Sequence, residues 1–150
     1  MPSISGLTDH DGYWLRVVSN AVSHDFARKV AGEGVTVAEW AVLRVLYDVD
    51  QMVPSSLARE LRVTKGAVSK LADRLLEKKL IKRTESREDL RMHSLSLSKA
   101  GRQKVPVLAK LADDNDAEYF GVLTTEERDA LSRILTALVE RRGLSDVPMD

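Results

Sequence analysis

The sequence predicts a mainly α-helical fold carrying one small β-hairpin, and three observations support that reading. Apolar residues recur at helical spacing through most of the chain. Serine and threonine stand where helix N-termini need a side-chain acceptor for free backbone amides. One short stretch, Ser94 to Leu97, alternates polar and apolar residues with the two-residue period of a half-buried strand. At 150 residues, with 43% hydrophobic and 31% charged side chains, the chain is read as a single domain over residues 1–150 with one sizeable core.

The elements follow in order. From about Asp11 to Ala31, Leu15, Val18, Val22 and Phe26 form one apolar stripe, and Trp14, Val17 and Ala21 form a second beside it. A helix with two apolar faces has two neighbours to satisfy. Gly32 and Gly34 break the pattern, and Thr36 with Glu39 then has capping-box form, starting a helix that runs to about Asp48. Ser55 is expected to cap a brief helix over Ser56 to Leu61, and Thr64 another over Lys65 to about Lys78. Ile81 to Thr84 and Ser94 to Leu97 are read as strands, with the charged run Glu85 to Arg91 as the hairpin tip. Ser98 caps a long helix through Phe120, in which Pro106 is expected to produce a kink near Arg102 to Pro106. Thr124 and Glu127 form a second capping box, and the last helix, with Leu131, Ile134, Leu135 and Leu138, ends at Gly143. Residues 143–150 read as a loose tail.

Charge narrows the function. The 23 basic and 23 acidic side chains balance, yet between Pro54 and Val105 there are 14 Lys and Arg against 6 Asp and Glu. The middle therefore carries +8 and the flanks together −8, a segregation that suits a polyanion-binding centre carried by ends that do not touch the polyanion. Within that centre, Leu57, Ala58, Leu61, Val63, Val68, Leu71 and Leu75 can form the shared core of two helices at a tight turn. The face left over on the second helix presents Lys65, Gly66, Ser69, Lys70 and Asp73, side chains suited to base edges and phosphates in a major groove, with Gly66 allowing close backbone approach. Ser55, Thr64 and Arg74 complete the candidate DNA contacts on this helix pair. A basic hairpin directly after such a helix suits a wing, with Arg87 and Arg91 entering a minor groove and Asp89 bracing an arginine or the hairpin backbone.

These pieces together resemble the MarR family of bacterial winged helix-turn-helix transcriptional regulators. The residues that carry the resemblance are Leu57-Ala58, Val63 to Ser69, Asp73-Arg74-Leu75, Leu80 to Arg83, Asp89 with Arg91, and Leu95 to Ser98 with Gly101. It extends over about residues 10–142. The resemblance implies a winged helix-turn-helix over residues 54–97, flanked by N- and C-terminal dimerisation helices over 9–48 and 98–142. It also implies a cytoplasmic homodimer that binds double-stranded DNA as a repressor, with recognition helices about 34 Å apart on a pseudo-palindromic site. Arg62 and Lys79 stand where the family often has glycine, so these residues either adopt left-handed backbone or the turns differ.

The resemblance further implies release by a small aromatic or phenolic ligand between the dimerisation helices and the winged region. Candidates are Trp14, Trp40, Arg44 and Tyr47, with His10 and Tyr13 beside them; the same aromatic residues have core roles as an alternative. No cofactor, metal site or enzyme activity is expected. There is no cysteine, His10, His24 and His93 lie far apart, and no serine stands in a nucleophile-elbow pattern, although His24-Asp25 could begin a metal site across a dimer. No stretch has the length and apolarity of a membrane span, and Met1 to Thr8 lacks a basic region followed by an apolar core. The competing function is a helical winged-fold protein-interaction module without specific DNA binding.

Overall fold

The computed structural model describes residues 3–85 and 93–144. After a single 3-10 turn at Leu7–Asp9, the elements are α1 (Asp11–Ala31), α2 (Val37–Tyr47), α3 (Pro54–Leu61), α4 (Lys65–Glu77), β1 (Ile81–Glu85), β2 (His93–Leu97), α5 (Lys99–Phe120) and α6 (Thr125–Arg141). The mainly α fold with a small antiparallel hairpin is as the sequence predicts.

Local chemistry sets most of the helix starts. Thr36 Oγ1 accepts from the Glu39 amide while Glu39 accepts from the Thr36 amide, and Thr124 and Glu127 repeat the arrangement at α6. Thr64 and Ser98 cap α4 and α5 by accepting from the Ala67 and Gly101 amides. One start differs from expectation. Helix α3 begins at Pro54, with Val53 in the capping position, so Ser55 lies inside the first turn and does not cap. Proline needs no amide partner at that position and its fixed φ already suits the helix, which moves the start two residues earlier. Helix α5 runs from Lys99 to Phe120 with Pro106 inside it, the span expected from the sequence.

The core is formed where α2, α3, α4, the hairpin and the first half of α5 meet the end of α1. Val30, Val42, Leu43, Leu46, Leu57, Val68, Leu75, Leu95 and Leu108 are all fully enclosed. Strand β2 pairs with β1 in the register Ile81↔Leu97 to Glu85↔His93. On its other edge Leu95 exchanges both backbone hydrogen bonds with Met52, at 2.9 and 2.8 Å. Leu95 and Leu97 face the core from this strand, as the alternation predicts.

The C-terminal half of α1 lies along α5. Asn115, buried between them, donates to the Val22 carbonyl and accepts from Lys29, and Tyr119 donates to the Ala21 carbonyl. The N-terminal half of α1 leaves Trp14, Leu15, Val17 and Val18 exposed, and α6 buries no residue at all while exposing Ile134, Leu135 and Leu138.

Both non-glycine residues at the two turns have left-handed backbone, Arg62 at φ 58° and Lys79 at φ 61°. Each ends its helix in a Schellman pattern: the Val63 amide reaches the Ala58 carbonyl, and the Leu80 amide the Leu75 carbonyl. A side chain in this conformation costs about 1 kcal/mol. Lys79→Gly is therefore expected to stabilise the fold by up to about 1 kcal/mol and raise the melting temperature by roughly 3 °C. A calorimetric scan showing no rise would mean that contacts of the Lys79 side chain offset the strain.

Candidate nucleic-acid interface

The tight turn between α3 and α4 consists of Arg62, Val63 and Thr64, and its left-handed first residue turns the chain sharply enough for the two short helices to share a core. Leu57 and Ala58 of α3 are buried with Val68, Leu71, Ala72 and Leu75 of α4. Because these positions follow the three- and four-residue spacing of one helical face, the opposite face of α4 is left to solvent. Thr64, Lys65, Gly66, Ser69, Lys70, Asp73 and Arg74 are all exposed on or beside it, whereas Ser55 is half-buried in the first turn of α3.

The chain's own packing does not require a glycine at position 66. A Cβ added there would meet nothing nearer than Thr64 Oγ1, at 3.9 Å. Asp73 is paired with Arg83 of β1 at 3.5 Å, a contact that connects the exposed face of α4 to the hairpin. Nothing in the local sequence pattern marks that pair, because its partners belong to different elements. Lys82 and Arg83 are exposed along β1. The expected wing contacts Arg87 and Arg91, and the expected brace Asp89, lie outside the described residues.

The C-terminal end of α4 is fastened by a buried charge. Glu39 is fully enclosed, its Oε1 accepting from Lys78 Nζ at 2.9 Å and from the Thr36 amide at 2.8 Å. Lys78 Nζ also donates to the Gly34 carbonyl at 2.8 Å. Burial pushes the Glu39 carboxyl upward, but the hydrogen bonds from Lys78 and Thr36 outweigh it and hold the group below the ordinary glutamate value.

Of the four candidate ligand residues, Trp40, Arg44 and Tyr47 follow one another at helical spacing along α2, and Trp14 lies on α1. Trp14 is half exposed near the start of α1, donating from Nε1 to the Thr8 carbonyl and standing edge-on to Tyr13. It precedes Val30, where α1 meets the core, by sixteen residues or about 24 Å of helix. Trp40 is half-buried against the core from α2. Arg44 pairs with Asp48 at 2.8 Å, and its guanidinium lies over the Tyr47 ring at 5.8 Å. Arg102 of α5, which sequence reasoning passed over, lies over the same ring at 5.1 Å. The Asp25 carboxylate is occupied by Arg28 and Tyr119. Among the described residues no group of three or more His, Asp or Glu could hold a metal ion, and no helix is long and apolar enough to cross a membrane.

Two helices joined by a left-handed turn, a polar and cationic outer face on the second, and an antiparallel hairpin immediately after it define a winged helix-turn-helix protein. A model described as the MarR family matches residues 33–92. The HTH-type transcriptional repressor MdtR of Bacillus subtilis (strain 168) is 29% identical over 126 residues, 84% of this chain and 81% of its own length. The YusO protein of B. subtilis, known by crystallography, superposes with a TM-score of 0.70 at 28% identity, over 93% of this chain and 99% of its own. The S. aureus MepR–DNA complex shares the fold, with a TM-score of 0.80 at 24% identity over 88% of this chain and 98% of that one. The chain is thus similar to the MarR family, by the family model over residues 33–92 and by relatives and solved structures over most of its length.

Proposed function

We propose that this chain is a sequence-specific DNA-binding regulator that works as a homodimer in the cytoplasm, with α4 as its recognition helix. The observation that supports this most is the outer face of α4. It places Lys65, Gly66, Ser69 and Lys70 together in solvent, cationic and small, on a helix whose other face is locked into the core. Such a surface suits a major groove, lysines meeting phosphates or guanine and the glycine admitting the DNA backbone.

The homodimer rests on α6 and the first half of α1, whose apolar side chains are left about half exposed by their own chain. A two-fold pair would present two recognition helices to successive major grooves and select a pseudo-palindromic site. Repression follows by the same geometry where such a site overlaps a promoter, and the relative MdtR is itself named a repressor. Release by a small aromatic or phenolic anion belongs to this proposal at Tyr47, where the two guanidinium groups of Arg44 and Arg102 lie over one ring.

The test is selection of genomic fragments by the purified protein at physiological salt, followed by a salt titration of the best fragment. A recovered pseudo-palindrome whose affinity falls steeply with salt is the expected result. No enrichment over bulk DNA would favour the protein-interaction module instead. Gly66→Ala sharpens the test, because nothing inside the chain opposes the added methyl group. It should leave the melting temperature at or above that of the parent and weaken the selected fragment about tenfold or more. Unchanged affinity would move the DNA backbone away from this position.

A further inference from the structure

Glu39 is the one fully buried carboxylate among the described residues, and its position in the fold is unusual for a helix-capping residue. Its capping partner Thr36 needs a single carboxylate oxygen, Oε1, at the start of α2. Exposed capping boxes do this without burial, as Glu127 does at α6. At α2 the same oxygen also takes Lys78 Nζ from the C-terminal end of α4, while Oε2 is enclosed with no protein partner. Burying a carboxylate with one oxygen unpaired is costly, and a cation at contact distance offsets that cost only while it stays in place. Lys78 is held on the other side by the Gly34 carbonyl, in the corner between α1 and α2. One lysine thus joins the end of α4 to the backbone and side chain of the segment that follows α1.

We propose that Glu39 is a positioning residue for DNA binding, acting through Lys78 to fix the angle at which α4 is presented from the dimerisation side of the molecule. The inference rests on the reading of α4 as a recognition helix. Glu39 cannot touch DNA, since none of it reaches the surface. Lys78 could, as its side chain is 38% exposed, and a direct phosphate contact is the competing account of any effect it has. The two accounts differ in sign. If Lys78 simply attracts phosphate, neutralising Glu39 frees the cation and strengthens binding to all DNA. If the pair holds α4 at its working angle, neutralising Glu39 weakens the selected site and leaves bulk DNA nearly unaffected.

The experiment measures the affinity of the intact protein, Glu39→Gln, Lys78→Met and the double variant for the selected fragment and for a scrambled duplex, by fluorescence anisotropy. Glutamine still accepts from the Thr36 amide and so keeps the cap of α2, while methionine keeps the packed stem of Lys78. Each single variant is expected to reduce the ratio of selected to scrambled affinity about tenfold, and the double variant no further than either single one. An unchanged ratio in a folded Lys78→Met protein, additive losses, or tighter binding to both duplexes by Glu39→Gln would overturn the proposal. If Glu39→Gln fails to fold, Lys78→Met alone decides through the ratio, because lost phosphate contact lowers both affinities in parallel. A parent protein that selects no fragment would instead remove the recognition-helix reading and this inference with it, an outcome distinct from selective binding that the variants leave intact.

Discussion

Gly101→Ala is expected to destabilise the protein by about 3 kcal/mol and lower its melting temperature by on the order of 10 °C. In an ordinary helix the same change stabilises by up to about 1 kcal/mol, so the predicted sign runs against helix propensity. The reason is the junction at which α5 leaves the hairpin. A Cβ at position 101 would stand 2.0 Å from the Leu80 carbonyl oxygen and 3.0 Å from its carbon, both backbone atoms that no rotamer change can move. That oxygen already accepts from the Ser98 amide, and the Ser98 hydroxyl in turn donates to the Lys79 carbonyl while capping the Gly101 amide. Relief of the clash must pull α5 away from the end of α4 and break some of these bonds. Calorimetry at matched protein concentration is the check, and a melting temperature equal to or above that of the parent would show that the two segments can separate freely.

The second large effect concerns association. Replacing Ile134 and Leu138 together by glutamate should reduce the solution mass from twice to once the chain's 16.7 kDa. The two residues stand one turn apart on α6, 53% and 46% exposed in the single chain, and covering each by a partner contributes about 1.5–3 kcal/mol. Glutamate is a good helix former, and α6 buries none of its residues against its own chain, so the rest of the fold should survive. A single chain engages one half-site, and affinity for a pseudo-palindrome should fall by about 100-fold or more. Light scattering reads the first effect and anisotropy the second. A dimer that persists with both glutamates would put the interface elsewhere, on the exposed start of α1.

The interactions legible in the sequence are the local ones. Capping at Thr36, Thr64, Ser98 and Thr124 was legible because each hydroxyl answers an amide three residues on. The outer face of α4 was legible for the same reason, as the complement of a helical apolar stripe. Ser55 was misplaced as a cap because Pro54 competes for the helix start by a different mechanism, removing the need for an acceptor. The bond pair between Met52 and Leu95 left no signal, since one paired residue has no period. The Glu39–Lys78 and Asp73–Arg83 pairs join residues far apart in sequence, where the residue types alone describe any solvated surface. The glycine departures at Arg62 and Lys79 were read correctly as turn positions; the structure decides for left-handed backbone.

The Met52 bridge gives the hairpin a property useful to an engineer. Strand β2 is held on both edges, by β1 along its whole length and by Met52 at Leu95. A two-stranded ribbon can slide by two residues when its connecting segment changes length; a strand gripped from both sides has its register anchored independently of that segment. The number of residues between Glu85 and His93 can therefore be changed without shifting Leu95 and Leu97 out of the core, which makes that stretch a place where sequence can be exchanged while the domain beneath it keeps its packing.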